Sequence, residues 1–403
     1  MAPAGNFECL QAAIQGGADS VYFGVGQLNM RAHSAGNFAP EDLPEVCAIC
    51  RQHGLRSYLT LNITLYDEDL PAMRKTLLAA RDAGVTAVIA SDMAAIACAR
   101  ELGMEVHIST QLSISNLESL RFYSQFADVV VLARELRLEQ VKALAEAASR
   151  EGICGPSGRP VQLEMFCHGA LCMAVSGKCF LSLHEYGTSA NRGNCYQLCR
   201  RRYVATDVET GWQLEFDNPY ILSPKDLCTI EFLDRMADAG VTVFKIEGRA
   251  RGSEYVKTVT QAYREAADAV ERGVFTPELG AELKARLETV FNRGLWDGWY
   301  QGAQLLDWSR AHGNQATRTK VYLGKVTNYY ARLGVAEIQV ETGSFKVGDP
   351  LLICGATTGV VETTVAEIRL DDAHILQEAA AGDLCAIPVP EKVRRGDKVY
   401  LFK

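Results

Sequence analysis

Six of the thirteen cysteines in this 403-residue chain fall between positions 167 and 228: Cys167, Cys172, Cys179, Cys195, Cys199 and Cys228. Thiolates are soft anionic ligands, and four of them brought together are what an iron–sulfur cluster or a structural zinc ion requires. No pair among these six has the Cys-x-x-Cys spacing of a zinc ribbon or a thioredoxin-type redox site, which argues against both. Ligands supplied from separate loops at one rim accommodate the gaps. The competing reading makes them small buried hydrophobes, which suits the scattered Cys9, Cys47, Cys50, Cys98, Cys154, Cys354 and Cys385.

Polar side chains gather where apolar runs end: Asn62, Gln111, Arg134 with Glu135, Glu164 with His168, Lys225 with Asp226, and Glu247 with Arg249. Glu164, His168, Lys225, Asp226 and Glu247 are the candidates for catalytic work, histidine because it titrates nearest neutrality. Arg31, Arg192, Arg200 and Arg249 are candidate substrate contacts, since a guanidinium fork pairs with carboxylate or phosphate. The run Arg200-Arg201-Arg202, with Arg192, is the densest basic spot in the chain. Ordinary loop polarity is the plainer explanation for any one of these residues, less so for the set. There is no His-Glu-x-x-His zinc site and no Gly-x-Ser-x-Gly elbow; His184-Glu185 lacks the second histidine.

The elements that must position these groups alternate between short β-branched runs and amphipathic helical stretches. Strands are expected at 21–24, 57–62, 87–90, 106–110, 129–132, 161–166, 220–222 and 243–247, with helices over 68–83, 93–103, 115–126, 137–150 and within 252–293. Asp-Ala-Gly-Val at 82–85 and 238–241 marks a helix stopped by glycine and followed by a strand. Eight such units fit a TIM-like (β/α)8 barrel over residues 1–300, whose strand C-termini form the reactive face. No glycine-rich dinucleotide loop follows any strand. A polar linker over 301–319 leads to residues 320–403, where short alternating strands and Gly-Asp turns predict a small antiparallel β-barrel like the second domain of translation factors. A charge of −8 excludes a generally basic nucleic-acid binder, so any RNA contact must be a local patch. With no signal-peptide pattern and no apolar run of about 18 residues, a cytoplasmic protein is expected, without membrane contact.

The passage Glu164-Met165-Phe166-Cys167-His168-Gly169-Ala170-Leu171-Cys172, continuing through Gly177-Lys178-Cys179-Phe180-Leu181-Ser182, resembles the signature of the collagenase-like peptidase family, unclassified-peptidase family 32. Ala2-Pro3-Ala4-Gly5-Asn6, Gly17–Gly24 and Phe244-Lys245-Ile246-Glu247-Gly248-Arg249 extend the likeness over about residues 1–300. Relatives usually carry a few apolar residues before Ala-Pro-Ala-Gly, so the first strand is expected to be clipped or the barrel counted from Val21. The resemblance implies a [4Fe–4S] cluster on Cys172, Cys179, Cys195 and Cys228, with Cys199 able to displace Cys195. It also implies oxygen-independent hydroxylation of tRNA wobble uridine to 5-hydroxyuridine, with prephenate, a small-molecule carboxylate, as hydroxyl source. Family alternatives are hydroxylation of ribosomal RNA or a ubiquinone precursor, and proteolysis.

Overall fold

A computed structural model describes residues 1–33, 36–214, 218–302, 307–311, 313–370 and 374–403. The chain starts with β1 (Ala2–Pro3) and α1 (Phe7–Gln15), then β2 (Ser20–Gly24), α2 (Leu43–Gln52), β3 (Arg56–Leu61), α3 (Leu70–Ala83), β4 (Ala87–Ala90), α4 (Met93–Glu101) and β5 (Glu105–Ile108). It continues with α5 (Leu117–Ser124), β6 (Val129–Val131), α6 (Leu138–Arg150), β7 (Gln162–Gly169), α7 (Leu181–Tyr186), β8 (Ala205–Thr206), β9 (Gln213–Leu214), β10 (Asp226–Cys228), α8 (Leu233–Asp238), β11 (Val243–Ile246), α9 (Ser253–Glu271), α10 (Pro277–Leu287) and β12 (Leu295–Trp296). Strands β1 to β7 pair in sequence order, all parallel, and β11 adds parallel to β7. On its far edge β11 meets the start of the chain: the Met1 amino group donates to Phe244 O at 2.8 Å and Ile246 N to Met1 O at 3.1 Å.

These strands are buried on both faces, so their residues run apolar without alternation, as in Ala87–Ala90 and Val129–Val131. The helices cover the outer face with stripes such as Met73, Leu77 and Ala80 of α3. Gly84 and Gly240, which stop their helices, take left-handed φ values of 83° and 90°, as the repeated Asp-Ala-Gly-Val predicts.

The expected strand at 220–222 is absent. Pro219 and Pro224 bracket a turn there, and the ladder restarts at β10, which runs antiparallel to β7. The eighth parallel strand is β1 instead, two residues long and hard to see by periodicity. The helical stretch 252–293 divides into α9 and α10, broken at Gly273, where φ is 69°, and reopened by Pro277.

The remaining strands are β13 (Lys320–Tyr330), β14 (Val335–Val340), β15 (Ser344–Lys346), β16 (Pro350–Gly355), β17 (Gly359–Thr364), β18 (Ile368–Arg369), β19 (Ile375–Leu376), β20 (Glu378–Ala380), β21 (Leu384–Pro388) and β22 (Lys398–Phe402). Eight form an antiparallel sheet in the order β17-β16-β22-β13-β14-β21-β18-β19, around a separate core that includes Leu323, Ile338, Ile353 and Val399. This unit is fixed to the first by α1 and α9: Gln15 of α1 donates to Thr358 O and accepts from Val360 N, and Lys320 pairs with Glu254 of α9 at 2.7 Å. The linker expected over 301–319 falls partly outside the described residues. Among the described residues no helix is long and apolar enough to cross a membrane.

Candidate active site

Between β7 and β10 the chain makes a long excursion, described over 170–214 and 218–225, across the C-terminal ends of the parallel strands. A cavity of about 190 Å³ lies beneath it. Its floor is set by inward-facing strand residues. Lys245 and Glu247 stand two apart at the end of β11, on one face of the strand. Lys245 Nζ donates to Glu164 Oε1 of neighbouring β7 at 2.6 Å, and both side chains are buried. The ammonium also lies 4.8 Å from the Tyr22 ring centre and 5.3 Å from that of Phe166.

Arg31 is delivered by the chain after β2. The Asn29 side chain braces that turn, donating to Gly26 O and accepting from Arg31 N. Arg31 then grips Glu247 Oε1 through Nη2 at 3.0 Å and Nε at 3.3 Å. Burial opposes ionisation of Glu247, but the Arg31 and Arg251 guanidinium groups overcome it and hold the carboxyl down at about 2. Arg249, buried, donates to Thr60 Oγ1 at 2.9 Å and has no carboxylate partner among the described residues; burial lowers its pKa to about 10. Gly24 makes room for it, since a Cβ there would stand 2.4 Å from Arg249 Nη1.

Arg134 lies over the Phe166 ring at 3.9 Å and donates to Ala170 O. Arg293 and Arg251 reach Asp226 at 3.2 and 3.8 Å. Among the described residues, Lys245 and the six arginines Arg31, Arg134, Arg200, Arg249, Arg251 and Arg293 therefore face the cavity, against the single wall carboxylate Glu247 and the two behind it, Glu164 and Asp226. That surplus of positive charge suits an anionic occupant.

Four thiols of the excursion form another wall: Cys172, Cys179, Cys195 and Cys199. Asn191 fixes the Cys179 backbone on both sides, accepting from its N–H at 3.4 Å and donating to its carbonyl at 3.3 Å. Burial pushes the Cys199 thiol up to about 11, with Arg200 opposing and Cys172, Cys195 and Cys179 adding to the rise. Among the described residues no three of His, Cys, Asp and Glu are gathered tightly enough to hold a metal ion as they stand. The donor set itself, four soft ligands against a cationic wall that offsets their charge, fits an anionic iron–sulfur centre.

The structure brings together Glu247, Arg31, Arg200, Arg249, Cys172, Cys179 and Cys195 at this cavity, with Glu164 and Asp226 one ion pair behind it. It does not bring four others. Cys167 is an extra residue in β7: Lys245 pairs with Phe166 but Ile246 with His168. This bulge reverses the alternation, so Phe166 faces the cavity and His168 faces α9, where its Nδ1 is 3.5 Å from the Tyr263 hydroxyl. Burial, aided by Arg251, lowers His168 to about 3. Cys228 is opposite His168 in the ladder and shares its direction, with Sγ 3.9 Å from the same hydroxyl. Lys225 pairs with Asp307 at 2.6 Å, and Arg192 with Asp69 at 2.6 Å beneath the Tyr66 ring.

Arg200 lines the cavity but ties the excursion down, donating to Leu171 O, Pro224 O and Ser223 Oγ. Sequence reasoning did not select Lys245, Arg251, Arg293 or Tyr22. Lys245 was detectable, as a charged residue two before Glu247 inside an otherwise apolar strand.

A family model described as Peptidase family U32 matches residues 5–309. A protein named "Collagenase" from Porphyromonas gingivalis is 55% identical, covering 100% of this chain and 97% of that protein. "tRNA hydroxylation protein P1" from Bacillus subtilis is 32% identical over 94% of this chain and 88% of its own length. A 23S rRNA 5-hydroxycytidine synthase from Escherichia coli is 36% identical over 72% of this chain but only 42% of its own.

Proposed function

This chain belongs to peptidase family U32, and from that premise we propose that it is an RNA-modifying enzyme that hydroxylates tRNA at the wobble uridine. The single observation that carries this reading is the cavity with two unlike walls, cationic on one side and lined by four thiols on the other. An iron–sulfur cluster would be held by Cys172, Cys179, Cys195 and Cys199, and would supply one-electron chemistry without oxygen. Arg249, which has no carboxylate partner among the described residues, and Arg134 offer donors for a small carboxylate, with prephenate as the hydroxyl source. Arg31 and Glu247 hold one another in place. The parallel strands, with Met1 bonded to β11, support a TIM-like (β/α)8 frame for this site.

The tRNA reading is favoured over ribosomal RNA by the extent of the likeness, since the match to the tRNA protein takes in 94% of this chain and the match to the rRNA synthase 72%. A quinone precursor would require apolar walls in place of the arginines. The collagenase name of the more similar relative favours a peptidase, yet no histidine stands among the cavity's described lining residues to activate a nucleophile. Incubating anaerobically reconstituted protein with unmodified tRNA transcript and prephenate tests the proposal. Nucleoside mass spectrometry should find 5-hydroxyuridine; an unmodified transcript would overturn it.

A further inference from the structure

The thiol wall has a second side. Cys172, Cys179, Leu181 and Cys199 line both the inner cavity and an outer one of about 400 Å³, completed by Met173, Ala174, Lys178, Phe180 and His184. Nothing described in the protein covers this outer side. Phe180, beside Cys179, is 67% exposed and shares the outer cavity with the partly exposed Met173 and Leu181, an apolar patch of the kind that marks an interaction site. At the other end of the same short helix, α7, Tyr186 is half exposed and its ring centre is 4.7 Å from that of Tyr196, also half exposed. Arg201 lies 5.8 Å from the Tyr186 ring and donates to its hydroxyl at 2.7 Å. Lys178 lines the outer cavity and Arg201 holds the Tyr186 hydroxyl, cations on a chain whose net charge is −8.

We propose that the exposed rings at the two ends of α7, Phe180 at its start and Tyr186 with Tyr196 and Arg201 at its close, form a stacking platform for unpaired nucleotides of the RNA substrate. Exposed rings interleaved with cations are what a single strand needs, because every base has a face to stack and every phosphate a charge to neutralise. A protein partner of equal apolarity would not call for the basic residues. The placement also gives the platform a purpose: a base stacked on Phe180 lies one thiol wall away from the cationic cavity. This inference rests on the RNA reading above and specifies where that RNA would lie.

Fluorescence anisotropy of the full-length protein with a labelled RNA hairpin carrying a wide unpaired loop, and with a blunt duplex of the same stem, tests it. Wild type should prefer the hairpin. Phe180→Ala combined with Tyr186→Ala should weaken hairpin binding by roughly ten-fold or more and leave the weaker duplex binding unchanged. Tyr186→Phe, which keeps the ring, should bind as wild type does. An unchanged melting temperature of the double variant confirms that it is folded. Wild-type hairpin affinity in the folded double variant overturns the platform alone. No hairpin binding by wild type overturns the RNA reading and the platform together. Intact RNA binding with lost self-association in sedimentation assigns the face to a second copy of the chain, and also overturns the platform.

Discussion

His168 and Cys228 are directly opposite one another across the antiparallel ladder of β7 and β10, and both point at the Tyr263 hydroxyl rather than into the cavity. One inserted residue, Cys167, accounts for this, because it turns the end of β7 through half a pleat. The neighbours of Cys228 are then a phenol and a histidine, while Cys199 joins Cys172, Cys179 and Cys195 on the cavity wall.

This relationship separates two ligand sets. Protein purified anaerobically should be brown and contain about four iron atoms per chain, as a cubane cluster implies. Cys199→Ser should lose most of that iron, and Cys228→Ser should retain it. The reverse pattern in iron analysis would restore Cys228 as a ligand, and colourless protein with stoichiometric zinc would remove the cluster altogether.

Lys245 and Glu164 make a buried pair with Glu164 Oε2 unpartnered. Breaking such a pair from one side strands a charge, so Lys245→Met should cost about 3–5 kcal/mol. Lys245→Met with Glu164→Leu should recover most of that stability. Denaturant unfolding checks both, and a double variant no more stable than the single would show that the pair is not coupled as its geometry indicates.

Arg249 should be the anion-responsive residue of the cavity. Millimolar prephenate should raise the melting temperature of wild type by mass action and leave Arg249→Met unmoved. Equal shifts in both would place the anion elsewhere.

The Arg31–Glu247 pair sets a pH window. Because Glu247 is held at about 2, below the ordinary glutamate value of about 4.3, its contribution is complete above that ordinary value and is lost as pH falls toward 2. The melting-temperature difference between wild type and Glu247→Gln should be constant from neutrality to roughly pH 5 and narrow below it. A gap that persists at the acid end would mean the carboxylate charge is not what Arg31 requires.

The parallel strands from β2 to β7, β11, the helices α3 to α6 and the β-rich second unit were legible in the sequence, because burial on both faces leaves plain apolar runs and glycine marks helix ends, whereas α2 and the short α8 were not picked out. The two-residue β1 carries too little pattern to be seen, and Ile221-Leu222 reads as a strand only until its flanking prolines are weighed. At the site, Glu247 and Arg249, chosen as polar residues at strand ends, and Cys172, Cys179 and Cys195, implied by the family resemblance, all line the cavity. His168 and Cys228 were misplaced because a one-residue bulge has no signature in composition, yet it reverses every side chain beyond it. Lys225 and Arg192 were misplaced because their partners, Asp307 and Asp69, lie far away in sequence.

Nucleoside mass spectrometry of RNA from cells lacking the gene tests the function most directly. A hydroxylated nucleoside should vanish from tRNA, return with wild type, and fail to return with Cys179→Ala. An unchanged nucleoside profile, together with gelatin cleavage by the purified protein, would contradict RNA hydroxylation and establish the peptidase instead.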